Sequence, residues 1–417
     1  MASGKAVDAV YKVKIPAAAA KLRELYYMAH YIHSHTAHFY ALAAPDFVVG
    51  PDAPPAERNI LGLVDKVGIE IGSEVIRQRE ISQLIQQMVG GRATHPVWNL
   101  PGGVTRPLAK EDREKIRGFV PGLIAFGEFG LKLFHDLVLK NKAYLDLILG
   151  DGYELVTNYM GLVDAKNLVT FYDGTVRVVD PDGAEIDRYA AHEYLDHVAE
   201  HVEPYTYLKF PYLKKRGWQG FKEGSGTSIY QAAPLARCNV ASGMATPKAQ
   251  EAYEKMYTAL GRKPAHKLMA MHWARLIELL YAAERLGELV ADDEILDPNV
   301  RVIPSATPSE GVGIVEAPRG TLTHHYWTDS KGIVTKANLI VGTTNNNAPI
   351  SMAVTKAAKK FITKGGEIRE GLLNRVEMAF RIYDPCFSCA THSLPGRMPL
   401  TVEVKDASGT TLNVISR

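Results

Sequence analysis

The sequence predicts a mainly α-helical protein with small β-hairpins, and two observations carry that prediction. Long stretches repeat apolar residues at spacings of three and four, the period of an amphipathic helix. Runs with the two-residue alternation of a strand are few and short. Residues 16–44 read as the first long helix. It opens at Pro16, whose fixed φ and missing N–H suit a first turn, and breaks at Pro45-Asp46. Leu22, Leu25, Tyr26, Ala29 and His33 share its stripe. Residues 56–89, 110–146, 248–288 and 350–381 carry the same period, and Gly90-Gly91 and Pro101-Gly102-Gly103 punctuate the first half. Among strands, 169–172 and 176–179 read as a hairpin about an Asp173-Gly174 turn. Residues 312–316, 322–327 and 333–341 suggest a small sheet turning at Asp329-Ser330-Lys331-Gly332. A last hairpin, 401–405 and 410–415, turns at Ser408-Gly409. No repeat, low-complexity tract or linker interrupts this helical body.

With 417 residues, 46% of them hydrophobic, the chain can bury a large core. A net charge of +2, without a basic stripe interleaved with aromatics, argues against nucleic-acid binding. No run approaches the ~20 apolar residues that span a bilayer. The start, Met1-Ala2-Ser3-Gly4-Lys5-Ala6, has no signal-peptide core, and a cytoplasmic location is expected. Three cysteines, Cys238, Cys386 and Cys389, are too few for a disulfide framework and point to a reducing compartment or to catalytic or metal chemistry.

Cys386-x-x-Cys389 by itself serves thiol redox sites, zinc sites and other metal sites alike, or two buried structural thiols. The pair follows a helical segment ending at Tyr383-Asp384-Pro385, not the strand of a βαβ redox unit. A four-thiolate zinc site would need two more cysteines where only Cys238 remains. Any metal here must draw ligands from another segment, another chain or non-protein groups.

The wider motif is more specific. Asp384-Pro385-Cys386-Phe387-Ser388-Cys389-Ala390-Thr391-His392, followed by Gly396-Arg397-Met398-Pro399-Leu400, resembles the carboxyl-terminal signature of nickel–iron hydrogenase large subunits. Tyr31-Ile32-His33-Ser34-His35-Thr36-Ala37-His38-Phe39, Gly90-Gly91-Arg92-Ala93-Thr94-His95-Pro96-Val97 and Pro234-Leu235-Ala236-Arg237-Cys238-Asn239-Val240 are similar to further stretches of that family. The wording at 31–46 and 92–105 is closest to its methyl-viologen-reducing group.

The resemblance implies a hydrogenase large-subunit body over 1–392 and a 393–417 extension that an endopeptidase removes after His392 once nickel is in place. It implies a nickel–iron centre with CO and cyanide on the iron. Cys386 and Cys389 would be its thiolate ligands, and His392 would stand beside a structural magnesium. Glu316-Ala317-Pro318-Arg319-Gly320 resembles the loop that hangs a guanidinium over the metals, so Pro318 lines the site and Arg319 is the candidate catalytic base. Val341-Gly342-Thr343-Thr344-Asn345-Asn346 resembles the loop whose hydroxyl, here that of Thr343, donates to a cyanide. The implied activity is reversible splitting of H2. Electrons would leave through the iron–sulfur clusters of a small subunit, toward partners linked to a heterodisulfide reductase.

Other polar groups read as supporting. His33, His35 and His38 suggest hydrogen-bonded core roles, His324-His325 support for the Arg319 loop, Cys238 a buried small hydrophobe, and Asp292-Asp293-Glu294 a solvated helix end. The family's second motif, Arg-x-Cys-x-x-Cys, is not in this sequence. The expectation is therefore that upstream sequence or a neighbouring gene encodes it, and that the chain alone is inactive. Two rival readings are a metal-free scaffold like the homologous subunits of respiratory complex I, and a thiol–disulfide redox protein; the second leaves Arg319 unexplained.

Overall fold

A computed structural model describes residues 1–54, 56–363, 369–386, 401–405 and 408–416. Its core is built on the Ala270–Ala291 helix, which is buried on nearly every face and packs against the Lys110–Phe134, Ala17–Thr36 and Pro247–Leu260 helices. That helix carries His272, Arg275 and Glu278 at three-residue spacing among alanines and leucines, all three buried. Polar groups on successive turns of an otherwise apolar helix must find partners inside the protein.

The small sheets lie around this core. A three-stranded antiparallel sheet runs Val334–Ile340, Gly320–Thr328, Glu310–Ala317 in spatial order, with Ala317 paired to Gly320 so that Pro318 and Arg319 form the turn. The Ala2–Val10 helix packs on it. It approaches so closely that a Cβ at Gly311 or Gly313 would collide with its backbone. Buried Arg23, paired with Asp8, donates to the carbonyls of Leu100 and Gly103 at 3.0 and 2.8 Å and pins that helix. A four-stranded sheet joins Glu185–Tyr189, Thr175–Val179, Asn158–Val163 and Tyr230–Gln231, the last pair parallel.

Several sequence expectations need correction. Residues 169–172 form no strand; Thr175–Val179 pairs instead with Asn158–Val163 and Glu185–Tyr189. The run 169–172 is a core plug, with the Phe171 ring stacked on Tyr31 at 3.8 Å. The stretch 248–288 is two helices, Pro247–Leu260 and Ala270–Ala291, because Gly261 turns left-handed (φ +70) and Pro264 cannot continue a helix. Gly68 (φ +89) likewise splits 56–89 into Ile60–Val67 and Ile69–Gly90. In place of 350–381 stand Asn347–Phe361 and Glu370–Arg381. The last hairpin forms as expected, Thr401–Lys405 against Thr411–Ser416. No helix among the described residues is long and apolar enough to cross a membrane.

Candidate metal centre

The segment that leaves the Glu370–Arg381 helix is held at almost every residue. The Arg381 carbonyl bonds His38 Nε2 at 2.7 Å, and the Ile382 carbonyl accepts from Arg275 Nη2 at 2.8 Å. The Tyr383 hydroxyl donates to Gln231 Oε1 at 3.1 Å. Arg319 Nε donates to the Asp384 carbonyl at 2.7 Å, and its Nη2 lies 3.3 Å from Asp384 Oδ1. The Cys386 N–H donates to Thr343 Oγ1 at 3.2 Å. Asp384 sits at φ +53, a left-handed conformation that Asp tolerates better than most residues. The half-buried Cys386 thiol thus stands at the end of a strapped segment, between the Thr343 loop and the Arg319 turn.

Those two loops are tied to each other. Asn346 is fully buried. Its amide nitrogen donates to the Arg319 carbonyl at 2.9 Å and to the Ala232 carbonyl at 3.0 Å, and its oxygen accepts the Ala232 N–H at 2.9 Å. Asn345 does the same one residue earlier, donating to Thr321 O at 2.6 Å and accepting from the Tyr230 hydroxyl at 2.7 Å. Gly320 closes the turn at φ +141, and any Cβ there would strike the Ala232 carbonyl. The Arg319 turn therefore has one available height.

Burial dominates the electrostatics here. Burial pushes the Asp384 carboxyl up, against the pull of Arg319 and Arg275. Burial also lowers Arg275, to about 10, yet it remains a cation at neutral pH. His38 and His272, their rings 5.7 Å apart, are driven well below the ordinary histidine value by burial and by Arg275, so both are neutral. A cysteine presented two residues from Asp384, which Arg319 holds, offers the soft sulfur donor that a transition metal takes. Asp384 Oδ2, buried and without a hydrogen-bond partner, leaves one further acceptor for a group bound beside Cys386. The donors present fit part of a thiolate metal site. Cys389 and His392 lie outside the described residues, and among those described no group of three or more His, Cys, Asp or Glu could hold a metal.

The profile of a family described as nickel-dependent hydrogenase matches residues 1–60 and 73–392. The chain belongs to that family. It is 50% identical over 414 residues to an iron-sulfur subunit of the F420-non-reducing hydrogenase of Archaeoglobus profundus, covering 99% of this chain and 85% of that protein. It is 44% identical over 360 residues to a vhu subunit of the F420-non-reducing hydrogenase of Methanococcus voltae, over 86% of this chain and 82% of that one. A crystal structure of an NAD+-reducing [NiFe]-hydrogenase in the H2-reduced state superposes with a TM-score of 0.86 at 35% identity, over 94% of this chain and 84% of that chain. The expected fold, that of a hydrogenase large subunit, is the fold observed.

Of the residues singled out in the sequence of this hydrogenase subunit, Pro318, Arg319, Thr343 and Cys386 come together. Cys238 is fully buried and burial drives its thiol far up, so it is the small core hydrophobe expected. Asp292 and Glu294 pair with Lys21, and Asp293 with Arg113 at 2.8 Å. His324 and His325 do not brace the Arg319 turn: His324 bonds the Tyr326 hydroxyl at 2.6 Å, and His325 bonds Tyr194 at 3.0 Å and Glu310 at 2.7 Å. They follow the turn on a strand that carries their side chains away from it. Sequence reasoning missed Asp384 as the partner of Arg319, and it missed Arg237, Glu278 and Asn346. The available signal was a charged residue inside an apolar helix, as at Glu278.

Proposed function

We propose that this chain is the catalytic large subunit of a cytoplasmic nickel–iron hydrogenase, reversibly splitting H2 and passing electrons to a small subunit with iron–sulfur clusters. The observation that carries this reading is the Arg319 guanidinium, fixed by two bonds to Asp384 directly above the segment that presents Cys386. A nickel–iron centre carrying CO and cyanide, when bound, supplies the low-potential metals at which H2 is split. Cys386 and Cys389 would hold it as soft thiolates, and His392 would help to bind a structural magnesium. Arg319 presents a preorganised charge beside that site, where the guanidinium would polarise hydrogen as the H–H bond is split. Thr343 Oγ1 accepts the Cys386 N–H, and its own hydroxyl proton would be the donor to a cyanide. Pro318 fixes the backbone ahead of Arg319.

Cys386 and Cys389 would supply two of the four thiolates the family uses. Residues 393–417 are the extension that a maturation endopeptidase releases after His392. Electrons continue through partner subunits to a heterodisulfide reductase. The test is Arg319→Lys in enzyme assembled with maturation factors and its small subunit. Lysine keeps the charge but loses the fork that reaches Asp384. Hydrogen uptake should fall by roughly 10²-fold with metal content unchanged, the scale of one preorganised group. Wild-type uptake would leave Arg319 a structural residue and the reading without its main support.

A further inference from the structure

We infer that Arg237 is the positioning residue that sets the height of Arg319, reaching it through the backbone of the Pro318–Arg319 turn. Its significance for turnover rests on the proposed hydrogen chemistry; its geometry does not. Arg237 lies on the buried Pro234–Val240 helix with no exposed surface. A guanidinium has five N–H donors in a rigid fork, and here five acceptors surround it. Nε donates to Glu278 Oε1 at 2.6 Å, and Nη2 donates to Glu278 Oε2 at 2.7 Å and to the Pro318 carbonyl at 3.1 Å. Nη1 donates to Glu316 Oε2 at 3.0 Å and to the Ala317 carbonyl at 2.9 Å. The guanidinium therefore grips the carbonyls of the two residues immediately before Arg319.

The grip is itself anchored. Burial opposes the Glu278 charge, but Arg237 outweighs it and holds the carboxyl below its ordinary range; His35 Nε2 adds a bond at 2.9 Å. Glu316 Oε1 accepts the Leu162 N–H at 2.9 Å and the Thr321 hydroxyl at 2.8 Å, and its backbone carbonyl accepts from the hydroxyls of Tyr27 and Tyr31. A buried guanidinium needing only charge balance could be satisfied by Glu278 alone. The two bonds spent on turn carbonyls do a different job: with Asn346 on the Arg319 carbonyl, three successive carbonyls of the turn are fixed. Lysine at 237 would keep the charge but has three donors from one point, and cannot hold Glu278 and both carbonyls together.

The test uses the full-length chain with Arg237→Lys, and with Glu278→Gln as a milder second variant of nearly the same shape. Two local readouts are hydrogen exchange across 317–321 by mass spectrometry and the rate of Arg319 modification by phenylglyoxal. A melting curve and exchange across 113–123, in the Lys110–Phe134 helix, control for global damage. Arg237→Lys should raise both local rates by about tenfold, the change that follows losing one charged hydrogen bond, and Glu278→Gln should raise them less, with the 113–123 segment unchanged. In assembled, metal-loaded enzyme Arg237→Lys should lower kcat for hydrogen without changing KM or nickel content. Unchanged local rates in a folded Arg237→Lys would overturn the inference. If that variant does not fold, unchanged rates in Glu278→Gln would overturn it equally. An assembled wild type without hydrogen uptake would sink the functional reading while leaving the clamp intact.

Discussion

Asn346→Ala tests how tightly the two loops of the site are joined. The orientation of this side chain is set by its partners: the Ala232 N–H can face only the amide oxygen, and the Arg319 and Ala232 carbonyls only the nitrogen. Alanine removes the partner of one buried backbone donor and of two buried carbonyls. Each group left unpaired costs about 1–3 kcal/mol, and neighbouring losses add incompletely, so the expected destabilisation is about 3–5 kcal/mol. That is a large share of the ~5–15 kcal/mol typical of a folded protein. Urea denaturation should show it as a lowered midpoint, with faster amide exchange at Gly320 and Thr321. Asn346→Asp should be worse than alanine although it is nearly the same shape, because it sets a carboxylate against two carbonyls. A loss below about 1 kcal/mol for alanine, or a milder effect for aspartate, would show that Asn346 does not carry the joint.

Two further outcomes follow from the same geometry. Burial holds His35 at about 4 against its ordinary 6.5, so the folded state excludes a proton that the unfolded chain binds between those values. The resulting stability is complete above pH 6.5 and falls by about 1.4 kcal/mol per pH unit toward 4. His35→Gln, which keeps a donor for Glu278, should therefore flatten the acid limb of a urea-midpoint profile by about 3 kcal/mol, and parallel profiles would contradict this. Gly320→Ala combines a disfavoured φ of +141 with a clash against the Ala232 carbonyl. It should displace Arg319 and reduce hydrogen uptake by at least about 10-fold, measurable against the protein's unchanged nickel content.

What could be read in advance divides along physical lines. The strands at 310–317, 320–328 and 334–340 were legible because short apolar runs punctuated by the Asp329-Ser330-Lys331-Gly332 turn are local signals, whereas the tight Pro318-Arg319 turn between the first two was not read. Arg319, Thr343 and Cys386 could be singled out as candidates because the motifs that carry them are contiguous. The clamp was not. Arg237, Glu278 and His35 lie on three helices, 41 residues and 243 residues separating the bonded pairs, and no local pattern announces a contact of that range. Residues 169–172 misled for the opposite reason: a short apolar run has the same look in a strand and in a core plug, and the Tyr31 ring that decides the matter is far away in sequence. Asp384 read as part of a metal motif, yet its left-handed backbone and its carbonyl serve Arg319.

Nickel content is the most direct measure of the central claim, that Cys386 and Cys389 are metal ligands. The wild type, Cys386→Ser and Cys389→Ser would each be assembled with maturation factors and the small subunit, purified, and assayed for nickel and iron by mass spectrometry. A serine hydroxyl is a hard, weakly acidic replacement for a soft thiolate, so both variants should lose nickel to background while the wild type retains it. Undiminished nickel in both would contradict the assignment.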